Sequence, residues 1–183
     1  MNKKLIHSLF FIVLLLFSAL LATNLTFDYG KQIEDIDPQM EWHFFHEQFI
    51  HPSTAKEVLH KGEIVTLPHK FSEHYDTAKT YGTYIAKVTL PMQYVNEKIG
   101  LFIPFQYGNY DVYIQNELVL SKGDVSTTPN VLHMGAVIGN FTSTQREVYI
   151  TLQLSNFSSM RGGFAQHSQS IIQRLLVISL LSV

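Results

Sequence analysis

Residues 147–154 read EVYITLQL, with Val148, Ile150, Leu152 and Leu154 at every second position. An extended chain turns successive side chains to opposite faces. This period therefore predicts a strand whose four aliphatic residues face a core. The same reading extends upstream. Tyr84–Leu90 (YIAKVTL) places Tyr84, Ala86, Val88 and Leu90 on one face and closes at Pro91. Ile99–Phe105 (IGLFIPF) is apolar almost throughout, which predicts a strand buried on both faces. Asp111–Gln115 (DVYIQ) and Leu118–Ser121 (LVLS) flank Asn116-Glu117, which predicts a hairpin with a two-residue turn in which Asn takes positive φ. Short strands at this spacing, with turn residues between them, predict an all-β sandwich.

The preceding stretch, residues 28–80, is less regular. Pro38, Pro52 and Pro68 interrupt it and disfavour a long helix. Ser53, Glu57 and Val58 suit one short helical turn, and Glu63–Leu67 (EIVTL) suits a strand.

Composition narrows the function. The 183 residues are 46% hydrophobic and 15% charged, too apolar for a disordered chain. Thirteen basic residues nearly balance fifteen acidic ones, so no basic face for nucleic acid is indicated. The absence of cysteine removes disulfides, thiolate metal sites and a cysteine nucleophile.

The flanks are apolar. Leu5–Ala22 (LIHSLFFIVLLLFSALLA) follows Lys3 and Lys4 and is just long enough to span a bilayer, with the N-terminus cytoplasmic. It reads as a membrane anchor or a signal peptide, and the poor small-residue pattern for cleavage near Ala22 favours the anchor. Ile171–Val183 (IIQRLLVISLLSV) reads as the start of a truncated transmembrane helix or as a short core helix. The expected organisation is an N-terminal membrane helix over 1–24, an extracytoplasmic β-sandwich over 25–168, and the beginning of a second membrane helix over 169–183. Lys3, Lys4 and Arg174 fall in the flanks, so the middle is more acidic than the whole chain's net charge of −2.

Gly82-Thr83-Tyr84, Leu90-Pro91, LFIPF (101–105), NYDVYIQNELVLSKG (109–123), VYITLQLSNF (148–157) and Arg161-Gly162-Gly163-Phe164 follow one another in an order that resembles a known family. It is similar to the extracytoplasmic sensor region of bacterial seven-transmembrane receptors with diverse intracellular signalling modules. The Gly-Thr-Tyr strand and the hairpin are also similar to the non-catalytic β domain of family 2 glycosidases. The resemblance implies a jelly roll of the galactose-binding type at the bacterial inner membrane, facing the periplasm or cell exterior. It also implies a ligand-sensing role, with a small molecule such as a carbohydrate as ligand. Neither the seven helices nor a signalling output lies within these residues.

Catalytic machinery is not apparent. No Gly-x-Ser-x-Gly turn is present, and the acidic residues cluster where solvation explains them. No enzyme activity, catalytic residue or cofactor is expected. His43 and His46 in WHFFHE do not form His-Glu-x-x-His, and with His69 and His74 they give no three-ligand spacing, so no metal is expected. Sugar-like ligands need aromatic faces and polar side chains in a concave site. FQYGNY (105–110) offers Tyr107 and Asn109, and SNFSSMRGGF (155–164) offers Arg161 beside a glycine pair. Arg161, Tyr107, Asn109 and Trp42 are the candidate ligand contacts; packing against the sandwich competes for Trp42, and a pair with Asp111 competes for Arg161. The alternative function is a membrane-tethered protein–protein interaction module, with a homodimer among its forms.

Overall fold

The structure is a computed structural model and describes residues 12–14, 40–164 and 176–177. Eleven strands dominate it: β1 (Trp42–His46), β2 (Glu63–Val65), β3 (His69–Lys70), β4 (Thr80–Thr89), β5 (Lys98–Gln106), β6 (Asn109–Ile114), β7 (Glu117–Lys122), β8 (Gly135–Thr142), β9 (Glu147–Asn156), β10 (Gly163–Phe164) and β11 (Leu176–Val177). Two single-turn helices, α1 (Ala55–Val58) and α2 (Phe71–His74), interrupt them. A six-stranded sheet runs in the order β2-β1-β4-β9-β6-β7, with every described pairing antiparallel. Strands β11-β5-β8 form a second sheet, and β10-β3 a two-stranded clasp.

The expected all-β sandwich is therefore observed, and period two explains its core. Tyr84, Ala86 and Val88 of β4 and Val148, Ile150, Leu152 and Leu154 of β9 all point inward. There they meet Ile99, Leu101 and Ile103 of β5. Each large side chain so buried contributes about 1.5–3 kcal/mol relative to exposure.

Three sequence expectations are corrected. Strand β5 is fully buried on one face, where Ile99, Leu101 and Ile103 point inward, while Phe102 and Pro104 on the other are half-buried. The hairpin turn is Gln115-Asn116, and the positive φ (55°) falls on Gln115. Opposite Val112 and Tyr113 the register runs Leu120 then Leu118. Val119 is thus an extra residue, and the bulge moves the turn one place earlier. Leu176–Val177, expected in a helix, is instead the strand β11 on the edge of β5, where it meets backbone groups that an open edge leaves unpaired.

Strand β1, within the stretch expected to be irregular, is covered on both sides. Trp42 and Phe44 enter the main core, whereas Phe45 joins Ala55, Ile85 and Tyr149 in a second cluster on the outer face of the large sheet. Residues 48–61 form that cover. The Thr83 hydroxyl accepts from the Ile50 amide at 3.0 Å and donates to the Gln48 carbonyl at 2.7 Å. The Gln153 amide donates to the Ile50 carbonyl at 3.0 Å.

The expected membrane span Leu5–Ala22 lies outside the described residues except for 12–14, which are helical. Among the described residues no helix is long and apolar enough to cross a membrane.

Candidate ligand-binding site

Strand β6 has a cluster of loops at each end. At its start lie Tyr107, the loop 123–134 between β7 and β8, and the loop 157–162 after β9. At its end lie the β6–β7 turn and the β8–β9 loop.

Tyr107 and Arg161 are 54 positions apart in sequence and meet at the first end. Arg161 Nη1 donates to the Tyr107 hydroxyl at 2.8 Å, and its guanidinium carbon lies 5.2 Å from the centre of the tyrosine ring. Phe105 stands edge-on to Tyr107, centroids 5.2 Å apart at 71°. Arg161 is exposed and Tyr107 half-buried. The three side chains join two aromatic rings to a cation whose guanidinium has donors beyond the one given to Tyr107. Arg161 is thus engaged with Tyr107 rather than with Asp111.

The loop that presents Arg161 is tied at both ends. Asn156, buried at the end of β9, donates to the carbonyls of Ala78 (2.6 Å) and Ser159 (2.7 Å) and accepts from the Ser159 amide at 2.9 Å. Ser159 Oγ then accepts from the Arg161 amide at 3.0 Å. The glycine pair follows from close approach: a Cβ on Gly162 would sit 2.2 Å from the Ala78 carbonyl oxygen. Gly163 has φ +111°, a region open to glycine.

Two of the four candidate contacts are buried within the protein. Asn109 is 1% exposed. Its amide nitrogen donates to the carbonyls of Asp124 (2.9 Å) and Val131 (2.8 Å), and its oxygen accepts from the His133 amide at 2.7 Å. It staples the loop 123–134 to the sheet, so its polar atoms are spent within the protein. Trp42 is 2% exposed, stacked on Phe164 at 6.1 Å and edge-on to Tyr84 at 6.4 Å. Burial of this large ring in the core removes it from any surface site.

The fold gathers His46, His69 and His74 around Tyr75 and turns His43 to the opposite side of β1. His43 and His46 sit on β1 at odd spacing, so they face opposite sides; His43 Nε2 lies 2.8 Å from a Glu41 carboxylate oxygen. His69 is fully buried, with Nδ1 2.8 Å from the Tyr84 hydroxyl and its ring 4.4 Å from that of His74. Burial, reinforced by the neighbouring His74 and His46, lowers its pKa from 6.5 to about 4, with Glu73 opposing. Among the described residues no group of three or more His, Cys, Asp or Glu is arranged to hold a metal ion.

At the other end of β6 the two turns border a cavity of about 640 Å³. Sequence reasoning missed it because none of its polar residues belongs to a recognisable motif. The joining of β8 to β9 across the sandwich is visible only in the fold.

No protein-family model matches the sequence, and no curated protein matches it. The fold is similar to Bacteroides uniformis beta-glucuronidase, with a TM-score of 0.57 and 17% identity over 75% of this chain and 17% of that one. It is also similar to a calcium binding mutant of Bacteroides uniformis beta-glucuronidase 2, with a TM-score of 0.53 and 17% identity over the same two shares, 75% and 17%. At this identity the likeness establishes a β-sandwich fold. The chain spans 17% of the length of those structures.

Proposed function

We propose that this chain is the ligand-sensing extracytoplasmic input of a bacterial membrane signalling receptor, binding a small molecule such as a carbohydrate. In this reading it sits at the inner membrane, faces the periplasm or cell exterior, and performs no catalysis of its own. The observation that carries the reading is the Tyr107–Arg161 pair. Two loops remote in sequence converge to set a guanidinium over the Tyr107 ring beside the exposed Phe105, which suits a hydroxyl or carboxylate on a sugar ring with its C–H face toward the aromatic side chain. The sandwiches that share the fold belong to proteins named as beta-glucuronidases, which supports sugar acids as first probes. Sensing would follow by population shift, the ligand favouring one arrangement of loop 157–162 and of the strand β10 that continues it.

Calorimetric titration of the chain with glucuronate, galacturonate, glucose and galactose tests this. Saturable binding that weakens about tenfold or more in Arg161→Ala is expected, since a charge-assisted hydrogen bond is lost. Absence of heat with every sugar tested would count against the reading.

One observation favours the interaction module as a second reading. Ile138 of β8 pairs across from Phe102 of β5 and is 67% exposed, a large aliphatic side chain presented to solvent on that sheet. Light scattering of the wild type against Ile138→Lys distinguishes it, because only an interaction surface there loses mass on substitution.

A further inference from the structure

The cavity at the far end of β6 has an apolar floor and a polar wall. Ile114 and Phe141 form the floor, both nearly buried. The wall is built from two turns and is rigid where it matters. Gln115 is held at φ 55° by its amide, which donates to the Tyr149 carbonyl at 2.8 Å. Its side-chain nitrogen donates to the Glu147 carbonyl at 3.0 Å and approaches Gln145 Oε1 at 3.4 Å. A non-glycine residue in the left-handed region costs free energy, and such positions concentrate at binding sites. Ser143 fixes the facing loop, accepting from the Gln145 amide at 3.1 Å and donating to the Gln145 carbonyl at 2.9 Å.

Three side chains on this wall, Asn116, Thr142 and Thr144, are exposed and make no hydrogen bond among the described residues. Together they offer an amide and two hydroxyls, able both to donate and to accept. Glu117 is the only charged residue in the lining. A second hollow of about 180 Å³ shares Gln115, Asn116 and Gln145 and continues toward Ser53 and Lys56. The volume of about 640 Å³ lies within the range of about 300–1,000 Å³ usual for small-molecule sites.

We propose that this groove is a second ligand site, distinct from the Tyr107–Arg161 surface, and that it takes a neutral saccharide chain. Charge and donor chemistry select the class. A neutral polyol matches hydroxyl and amide groups that both give and take protons. A phosphate or sugar acid would meet Glu117 with no cation in the main cavity to offset it. The continuation past Gln115 gives room for a chain longer than one ring.

The test titrates the full chain with cellotriose, maltotriose and xylotriose by calorimetry, comparing wild type with Thr144→Trp, Asn116→Ala and Arg161→Ala. At least one trisaccharide is expected to bind the wild type saturably. Thr144→Trp should fill the groove and abolish that binding, and Asn116→Ala should weaken it about tenfold. Arg161→Ala should leave it within about twofold, because additivity holds for distant sites. Asn116→Ala changes an exposed turn side chain and keeps the test decisive if the tryptophan variant fails to fold. Three results would overturn the proposal: no binding of any trisaccharide at millimolar concentration, binding indifferent to Asn116→Ala and Thr144→Trp, or binding lost in Arg161→Ala. Failure here leaves the sugar-acid titration at Arg161 untouched, and failure there leaves this one untouched.

Discussion

His69 makes the stability of the domain depend on pH in a window that can be stated in advance. The Phe164 amide donates to the Tyr84 hydroxyl at 3.3 Å, so the tyrosine proton is directed to His69 Nδ1 at 2.8 Å, and the ring proton is assigned to Nε2. That second nitrogen is buried without a hydrogen-bond partner among the described residues. The groups facing the ring are His46 from β1, Tyr84 from β4, and Glu73, His74 and Tyr75 from α2 and its end; only Glu73 favours the charged form. A second proton on His69 would displace the tyrosine's hydrogen bond and place a cation in an apolar cluster. The folded state therefore binds this proton only near pH 4, whereas the unfolded chain binds it near 6.5. Above pH 6.5 neither state is protonated and stability does not depend on this group. As pH falls from 6.5 to 4 the unfolded state alone gains the proton, and stability drops by about 1.4 kcal/mol per pH unit, about 3 kcal/mol in total. Urea unfolding at a series of pH values, followed by fluorescence of Trp42, the only tryptophan, measures this directly. His69→Gln keeps an acceptor for Tyr84 but does not titrate, so its stability curve should run flatter through the window. Parallel curves for the two proteins would refute the reasoning and assign the acid sensitivity to other groups.

Three further outcomes follow from the packing. Gly162→Ala forces a Cβ against the Ala78 carbonyl and the Asn156 amide and should cost about 2 kcal/mol or more in chemical denaturation. Asn109→Ala strands the carbonyl of Val131 and the amide of His133, while Asn130 Nδ2 still donates to the Asp124 carbonyl at 2.6 Å. It should destabilise by about 2–3 kcal/mol, and hydrogen exchange should speed up across residues 123–134 before the sheet is affected. Thr83→Val preserves shape but removes the hydroxyl that ties down residues 48–61. A loss of about 1–3 kcal/mol is expected, with faster exchange of the Ile50 amide as its local signature.

How far the fold is legible in the sequence depends on how many faces of a strand are buried. Strands β4 and β9 can be read because their inner faces are aliphatic and their outer faces carry Thr83, Lys87, Thr151 and Gln153. Strand β1 hides from the same reading: residues 48–61 cover its second face, so aromatics occupy both and the alternation vanishes. Strand β8 hides for the opposite reason, since Phe141 is its only buried residue and glycines occupy two of its positions. Gly139 there lies against Leu120, where a Cβ would approach to 2.5 Å, so the residue that weakens the strand signal is the one that lets β8 pack on β7.

The candidate site divides along the same line. Tyr107 and Arg161 are legible as residue types in loops, but their meeting depends on Asn156 and Gly162, whose roles appear only when Ala78 is brought beside them. Asn109 illustrates the limit. A polar residue between two tyrosines reads as a ligand contact because sequence does not show that a loop 15–24 positions downstream folds back and consumes its hydrogen bonds. The far groove is the converse case: Asn116, Thr142 and Thr144 are unremarkable in sequence, and they acquire a common direction only because antiparallel β6 and β9 bring the turn after one beside the loop before the other. Both ends of one strand therefore carry exposed polar groups with different charge. The two proposed sites are accordingly expected to differ in the charge of the molecules they take, which the paired titrations with sugar acids and neutral trisaccharides measure.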